Sequence, residues 1–167
     1  MRVYIPATVA MLSTLVKTGE VAAVNSTAFA LTPALRESYS TGDAEELEYA
    51  AMLDAARASI RLLAGELDTD PEARPRRAVI AADLDDVTLR PDLDYAVVRL
   101  AGPVTMKHIA AVHVDNEGAE DAVRRAAEVI DAADMGDSDA EFTLGDAEDH
   151  ELAWYAPQEL SFLIELM

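Results

Sequence analysis

Cysteine is absent from the 167 residues. Disulfide scaffolds, thiolate zinc sites, iron–sulfur clusters and thiol nucleophiles are excluded with it, and the absence agrees with a cytoplasmic chain. Bases are scarce, since 13 Lys plus Arg stand against 32 Asp plus Glu for a formal charge of −19. A surface this acidic repels phosphate backbones and anionic headgroups, so no nucleic acid and no membrane surface is expected as a partner. A basic protein or a cationic ligand is the expected kind of partner. No apolar run approaches the roughly 18 residues of a membrane-spanning helix. The seven glycines lie at least nine residues apart, which rules out a glycine-rich loop cradling phosphates. No G-x-S-x-G occurs, so the usual hydrolase nucleophile turn is missing as well. The apolar start Met1 to Val16 is a poor signal peptide, because its positive region is the single residue Arg2 and Pro6 breaks its apolar run.

What is present is enough for one core. The hydrophobic fraction is 51%, though 32 of those residues are alanine and bury little area each. The length fits one domain over 1–167 with no internal boundary or repeat. The 11 arginines against two lysines, with the alanine excess, point to a GC-rich genome. Charge is uneven: residues 1–40 carry +1, 41–70 carry −6, 71–110 carry 0 and 111–167 carry −14. From Asp131 to Glu151 there are nine acids and no Lys or Arg.

Met1 to Ile5 alternates like a strand, and Thr8 caps a helix that Gly19 ends. Ala28 to Leu31 reads as a second strand, and Thr32-Pro33 opens a helical turn. The long helix is expected near 43–67, started by the capping-box-like pair Asp43 and Glu46. Its stripe is Tyr49, Leu53, Ala56, Ile60, Leu63 and Leu67. Residues 68–77 read as a loop in which Arg74, Arg76 and Arg77 pair with nearby acids. Ala78 to Ala82 and Tyr95 to Ala101 suit buried strands. Thr105 is expected to cap a short helical turn, before a short strand at Val112 to Val114. A helix over 117–133, an acidic loop over 134–150, a strand at Leu152 to Tyr155 and a helix opened by Pro157 complete the chain. The expected fold is α+β, a mixed sheet of about five or six strands packed with helices.

Two acidic segments are candidate sites. In Asp137 to Glu148, Asp137, Asp139, Glu141, Leu144 and Glu148 fall at EF-hand positions, but Phe142 stands where the sharp turn needs glycine. Weak divalent-cation association stays open there, and neither a dedicated metal site nor a cofactor is expected. In Glu148-Asp149-His150-Glu151 with Trp154, carboxylates, an imidazole and an aromatic ring adjoin a strand, the right chemistry for a cation or a cationic partner. Phe162 and Leu166 lie off the main stripe of the last helix, which opens self-association as a homo-oligomer.

The run Val79-Ile80-Ala81-Ala82-Asp83-Leu84-Asp85-Asp86-Val87 resembles the strand-end D-x-D-x-[TV] signature of the haloacid dehalogenase superfamily. That resemblance implies Mg²⁺-dependent phosphoryl transfer with Asp83 as nucleophile and Asp85 as acid and base. Mg²⁺ would bridge Asp83 to a later carboxylate such as Asp149, and Lys107 would neutralise the phosphoryl group. The competing reading is a strand running into an Asp-rich turn, since 17 aspartates make D-x-D common in this chain. A binding module without enzymatic activity is the leading expectation.

Met1-Arg2-Val3-Tyr4-Ile5-Pro6-Ala7-Thr8, Thr32-Pro33-Ala34-Leu35, Glu45-Glu46-Leu47-Glu48-Tyr49-Ala50 and Ala147-Glu148-Asp149-His150-Glu151-Leu152-Ala153-Trp154-Tyr155 together resemble a family of uncharacterised actinobacterial proteins. The resemblance spans nearly the whole chain. It implies a single cytoplasmic domain and carries no activity.

Overall fold

The first strand, β1 (Arg2–Ala7), is buried from Val3 onward, which its unbroken apolar composition demands of a strand covered on both faces. In the computed structural model, which describes residues 1–167, it lies at the centre of a sheet with β3 (Thr27–Ala30) on one side and β4 (Ala78–Asp83) on the other. The remaining strands of that sheet are β5 (Val87–Leu89), β6 (Val97–Leu100), β8 (Ile109–Val114) and β9 (Ala153–Tyr155). The order is β5-β6-β3-β1-β4-β8-β9, and every pairing is antiparallel. Register along β1 and β4 runs from Arg2 opposite Asp83 to Ala7 opposite Ala78. Two short strands, β2 (Glu20–Val21) and β7 (Val104–Thr105), form a separate ribbon.

Helix α1 (Val9–Thr18) begins at Thr8, whose hydroxyl accepts from the Met11 N–H, and ends at Gly19 in the left-handed region (φ 81°). Gly19 suits that position because it has no Cβ to clash. With the C-terminal α6 (Leu160–Leu166), α1 covers one face of the sheet, against Val3, Ile5, Ile80, Val98 and Val112. The short α2 (Pro33–Ser38) leads to α3 (Ala44–Thr69), which covers the other face at Tyr4, Phe29, Val79 and Ala111. Against the far half of α3, at Ile60 and Leu63, packs a helical hairpin of α4 (Glu120–Asp134) and α5 (Ser138–Glu148).

The α+β class and the long helix agree with expectation, and the sheet differs in two respects. It has seven strands, and it is antiparallel throughout rather than mixed. Strand–helix alternation suggests parallel crossovers, but extra traverses reverse the chain. Two helices, α4 and α5, separate β8 from β9, so the second strand returns antiparallel where one helix would have returned it parallel. The long helix also buries a different face near its start. Ala51, Met52 and Ala55 meet the sheet, while Tyr49 and Leu53 are 51% and 43% exposed. Alanine lets the helix approach the sheet closely beside Met52, and Tyr49 and Leu53 point outward. Thr105 stands at the N-cap of the expected short turn, a 3-10 helix over Met106–His108, but its hydroxyl makes no capping bond and is buried without a partner, while β8 begins at Ile109 rather than Val112.

The largest correction concerns 134–150, expected as an acidic loop. Residues Ser138–Glu148 are helical, with Asp137 as N-cap accepting from the Ala140 N–H at 2.8 Å. Asp139 and Glu141 then sit in the first turn, at the positive end of the helix dipole. A helix here excludes the EF-hand loop, whose ligands need an extended, sharply turning backbone.

Candidate functional site

The acidic third of the chain is held in place by arginines from elsewhere. Arg77, just before β4, is 2% exposed and donates through Nε and Nη2 to both oxygens of Asp115, each at 2.8 Å. Its backbone N–H donates to Asp115 as well, and its Nη2 reaches the His150 carbonyl at 2.6 Å. Asp115 leads into the hairpin and His150 leads out of it, so one guanidinium ties both of its roots. Arg76 adds a 2.6 Å pair with Glu120 at the start of α4, and Arg74 donates to the Met167 carbonyl. Arg76 and Arg77 thus pair with acids as expected, whereas Arg74 reaches only a carbonyl, and Arg77 is buried rather than solvated.

The turn of the hairpin is fastened to α3. Arg57 and Arg61, one helical turn apart, both donate to Asp134, and Arg57 also reaches Glu141 at 2.8 Å and Glu148 at 3.9 Å. Hydrogen bonds from Arg61, and then from Arg57, hold the Asp134 carboxyl down to about 2, and Arg57 likewise lowers Glu141. A cleft of about 430 Å³ opens here, with Phe29 in its lining together with Asp54, Asp94, Arg57, Arg61 and Asp134. Desolvation, then the nearby Asp94, raises Asp54 above the usual carboxylate range.

This arrangement has a pH signature. The folded-state value for Asp134 lies below the ordinary 3.8, so its contribution is present in full above that value and is lost as pH falls toward 2. Asp134→Asn is expected to flatten the acid limb of stability over that window, as measured by urea unfolding at successive pH values.

With Asp134, Glu141 and Glu148 engaged on the inner side, the outer side of α5 is left with unpaired charge. Asp139, Phe142, Asp146 and Asp149 follow one another at steps of three, four and three, which is one helical face. All four are exposed, Phe142 at 77%, and none of the three carboxylates pairs with a base. An aromatic ring set among three solvated carboxylates offers apolar contact and negative charge to the same ligand.

The five residues expected to act together as a cation or partner site are divided by the structure. Glu148 belongs to the Arg57 cluster, Asp149 ends the ridge, and His150 is engaged through its carbonyl. Glu151 is exposed, and Trp154, 60% exposed, sits on the edge strand opposite His113. Burial, with a smaller effect of Arg2, lowers His113 below the usual imidazole value. Phe142, noticed in the sequence only as the residue that spoils an EF-hand, is the aromatic centre of the ridge.

Asp83 and Asp85 are placed differently from what a phosphoryl-transfer site requires. Asp83 is clamped by Arg2 at 2.7 and 3.1 Å, and those hydrogen bonds lower its carboxyl. Asp85 is exposed and lines a separate cavity of about 260 Å³ with Asp86 and His108. The strand that ends at Asp83, β4, has antiparallel neighbours on both sides, unlike the parallel doubly wound sheet that the dehalogenase resemblance implies. No three His, Asp or Glu side chains gather so as to hold a metal ion. No helix is long and apolar enough to cross a membrane.

Fold and site together define an acidic single-domain α+β protein, an antiparallel sheet covered on both faces with a helical hairpin mounted on its long helix. The chain belongs to the family of unknown function DUF6912, which matches it over residues 1–164. Neither the curated proteins nor the solved structures provide a match.

Proposed function

We propose that this protein is a non-enzymatic binding module whose outer α5 ridge takes a basic polypeptide segment. The observation that carries this reading is the Asp139-Phe142-Asp146-Asp149 face, exposed and without a base to neutralise it. Lysine or arginine side chains of the partner would meet the three carboxylates, while their alkyl stems and any apolar residue would pack on Phe142. The negative field of the whole chain speeds encounter with such a partner and repels polyanions. The cysteine-free composition supports a cytoplasmic setting, and the arginine and alanine bias supports a GC-rich, actinobacterial source.

The test uses a fluorescent Lys/Arg-rich peptide titrated by anisotropy at several salt concentrations. Phe142→Ala is expected to weaken binding by roughly tenfold at every salt concentration, the loss of one aromatic anchor. The triple variant Asp139→Asn, Asp146→Asn, Asp149→Asn is expected to flatten the salt dependence, because the screened term is then gone. Equal affinity and equal salt slope in all three proteins would defeat the reading. All four positions are solvent-exposed, so unfolding midpoints should move little.

A further inference from the structure

Two cavities open along α3 and share two of their lining residues, Phe29 and Arg61. The cleft of about 430 Å³ beneath the hairpin turn continues from that junction to Asp54 of α3 and Asp94 of the β5–β6 connection. The second cavity, of about 230 Å³, continues the other way to Pro6, Val24, Ala58 and Leu62. One groove therefore runs over Phe29, acidic at one end and apolar at the other. Helical spacing builds its wall, because Asp54, Ala58 and Leu62 recur at steps of four along α3. The apolar end is closed by the turn that holds Asn25, where Asn25 and Ser26 both lie in the left-handed region at φ 56°. Two successive residues with side chains are strained there, a feature that gathers at segments holding ligands. Charge along the groove is uneven as well. Arg57 and Arg61 are matched by Asp134 and Glu141, whereas Asp54 and Asp94 enter no ion pair. The two arginines do not offset them, since desolvation and then Asp94 keep the Asp54 carboxyl raised despite their field. Beside the apolar end, Arg99 stands opposite Thr27 in the sheet, exposed and without an acid, so positive charge is drawn toward Asp54 and Asp94.

We propose that this groove binds a small organic cation with an apolar body, an arylalkyl or alkyl primary amine, its ammonium at Asp54 and Asp94 and its body along Phe29, Ala58 and Leu62. The lining selects that class. An inorganic cation leaves the apolar half unused, an anion meets two carboxylates that no base neutralises, and a neutral apolar molecule desolvates those carboxylates without a counter-charge. An ammonium supplies three donors and the missing positive charge, and an attached ring or alkyl chain packs on the apolar wall as the alkyl stem of a lysine does. The site is separate from the α5 ridge, because the groove meets the hairpin at Asp134, Gly136 and Glu141 and not at its outer face. For a ligand of about ten non-hydrogen atoms the dissociation constant is expected at roughly 0.1–1 mM.

Phenylethylamine titrated into the full chain and followed by backbone amide NMR shifts tests this, with phenylacetate as the same ring bearing an anion and ethylamine as the charged head alone. Saturable shifts are expected around Phe29, from Asp54 to Leu62 and at Asp94, with ethylamine weaker by about fivefold or more and phenylacetate without effect. Asp54→Asn should raise the dissociation constant for phenylethylamine by about fivefold or more. Ala58→Leu fills the apolar half from a partly exposed helix position, so it should abolish the advantage of phenylethylamine over ethylamine and leave ethylamine binding unchanged. Unfolding midpoints of both variants should stay close to that of the unaltered chain, which separates loss of the site from loss of the fold. Shifts spread evenly over the acidic surface, unchanged affinity in Asp54→Asn, or phenylacetate binding as tightly as the amine would each overturn the proposal. The ridge reading stands or falls apart from it, because Phe142→Ala leaves every groove residue in place and should leave phenylethylamine affinity unchanged.

Discussion

Asp115→Ala is expected to cost about 3–5 kcal/mol of folding stability, the usual consequence of removing one partner of a buried ion pair. The carboxylate is fully enclosed and accepts three hydrogen bonds from Arg77, two from the guanidinium and one from the backbone. Its removal leaves a guanidinium 2% exposed with only the His150 carbonyl to satisfy it, and leaves the Arg77 N–H without an acceptor. Desolvation of that cation is no longer offset, so the penalty exceeds the value of any one bond. For a chain of this size the loss corresponds to a fall in Tm of roughly 6–20 °C. Arg77→Met should be of similar severity, because it leaves Asp115 charged and buried.

The double variant Arg77→Met with Asp115→Asn discriminates the cause. Asparagine can still accept from the Arg77-position backbone N–H, methionine fills much of the arginine stem's volume, and no buried charge remains. If the single effects come from orphaned charge, the double variant should be more stable than the sum of the single losses implies by at least about 1 kcal/mol. Strict additivity in urea unfolding would refute that account and leave the loss to packing.

How far the sequence leads is clearest element by element. Thr8 with Gly19, Thr32 with Pro33, and Asp43 with Glu46 mark helix ends correctly, because a cap is a local interaction that needs no knowledge of the fold. The unbroken apolar run of β4 identifies a strand buried on both faces, whereas β1, read from its alternation, is buried on both faces from Val3 onward. Sheet direction was not legible, since it depends on how many times the chain traverses the domain between strands, and α5 was read as a loop. That helix buries only Ala140, Leu144 and Ala147, too small an apolar set to make a stripe. Asp137 as a cap with acids in the next turn was the signal available. At the site, Asp149 was already among the candidate residues. The arginine clamp was not, although Arg57 and Arg61 share a helix face, because their partners lie at least 73 residues away in sequence. Separating the inner carboxylates from the outer ones needed that clamp, and so the ridge was visible only as excess charge.

Leu144→Ala is expected to destabilise the protein by about 2–5 kcal/mol, and the damage should begin in the hairpin. Leu144 is fully buried among Ile60, Leu63, Val123 and Ile130. Most of the other buried residues in that cluster are alanines, including Ala122, Ala126, Ala133, Ala140 and Ala147. Alanine on a rigid backbone cannot move to fill a vacated volume, which favours a persistent cavity and the upper part of that range. Because α4 and α5 pack on α3 rather than on the sheet, their opening is a candidate for a unit separate from the core. Hydrogen exchange should therefore quicken in 120–148 before it quickens in β1 and β4, and peptide binding at the α5 ridge should fall in parallel. Phe142→Ala should do the reverse, lowering binding with exchange unchanged. Gly145 supplies the control. It lies inside α5 with no atom within 4 Å of where a Cβ would stand, so Gly145→Ala should strengthen the helix by about 0.5–1 kcal/mol. Placed on the Leu144→Ala background, it should restore part of the lost binding by restoring the helix, without adding any contact to the ligand. Uniform exchange across hairpin and sheet in Leu144→Ala would show instead that the domain opens as one unit, and that the ridge is as stable as the core beneath it.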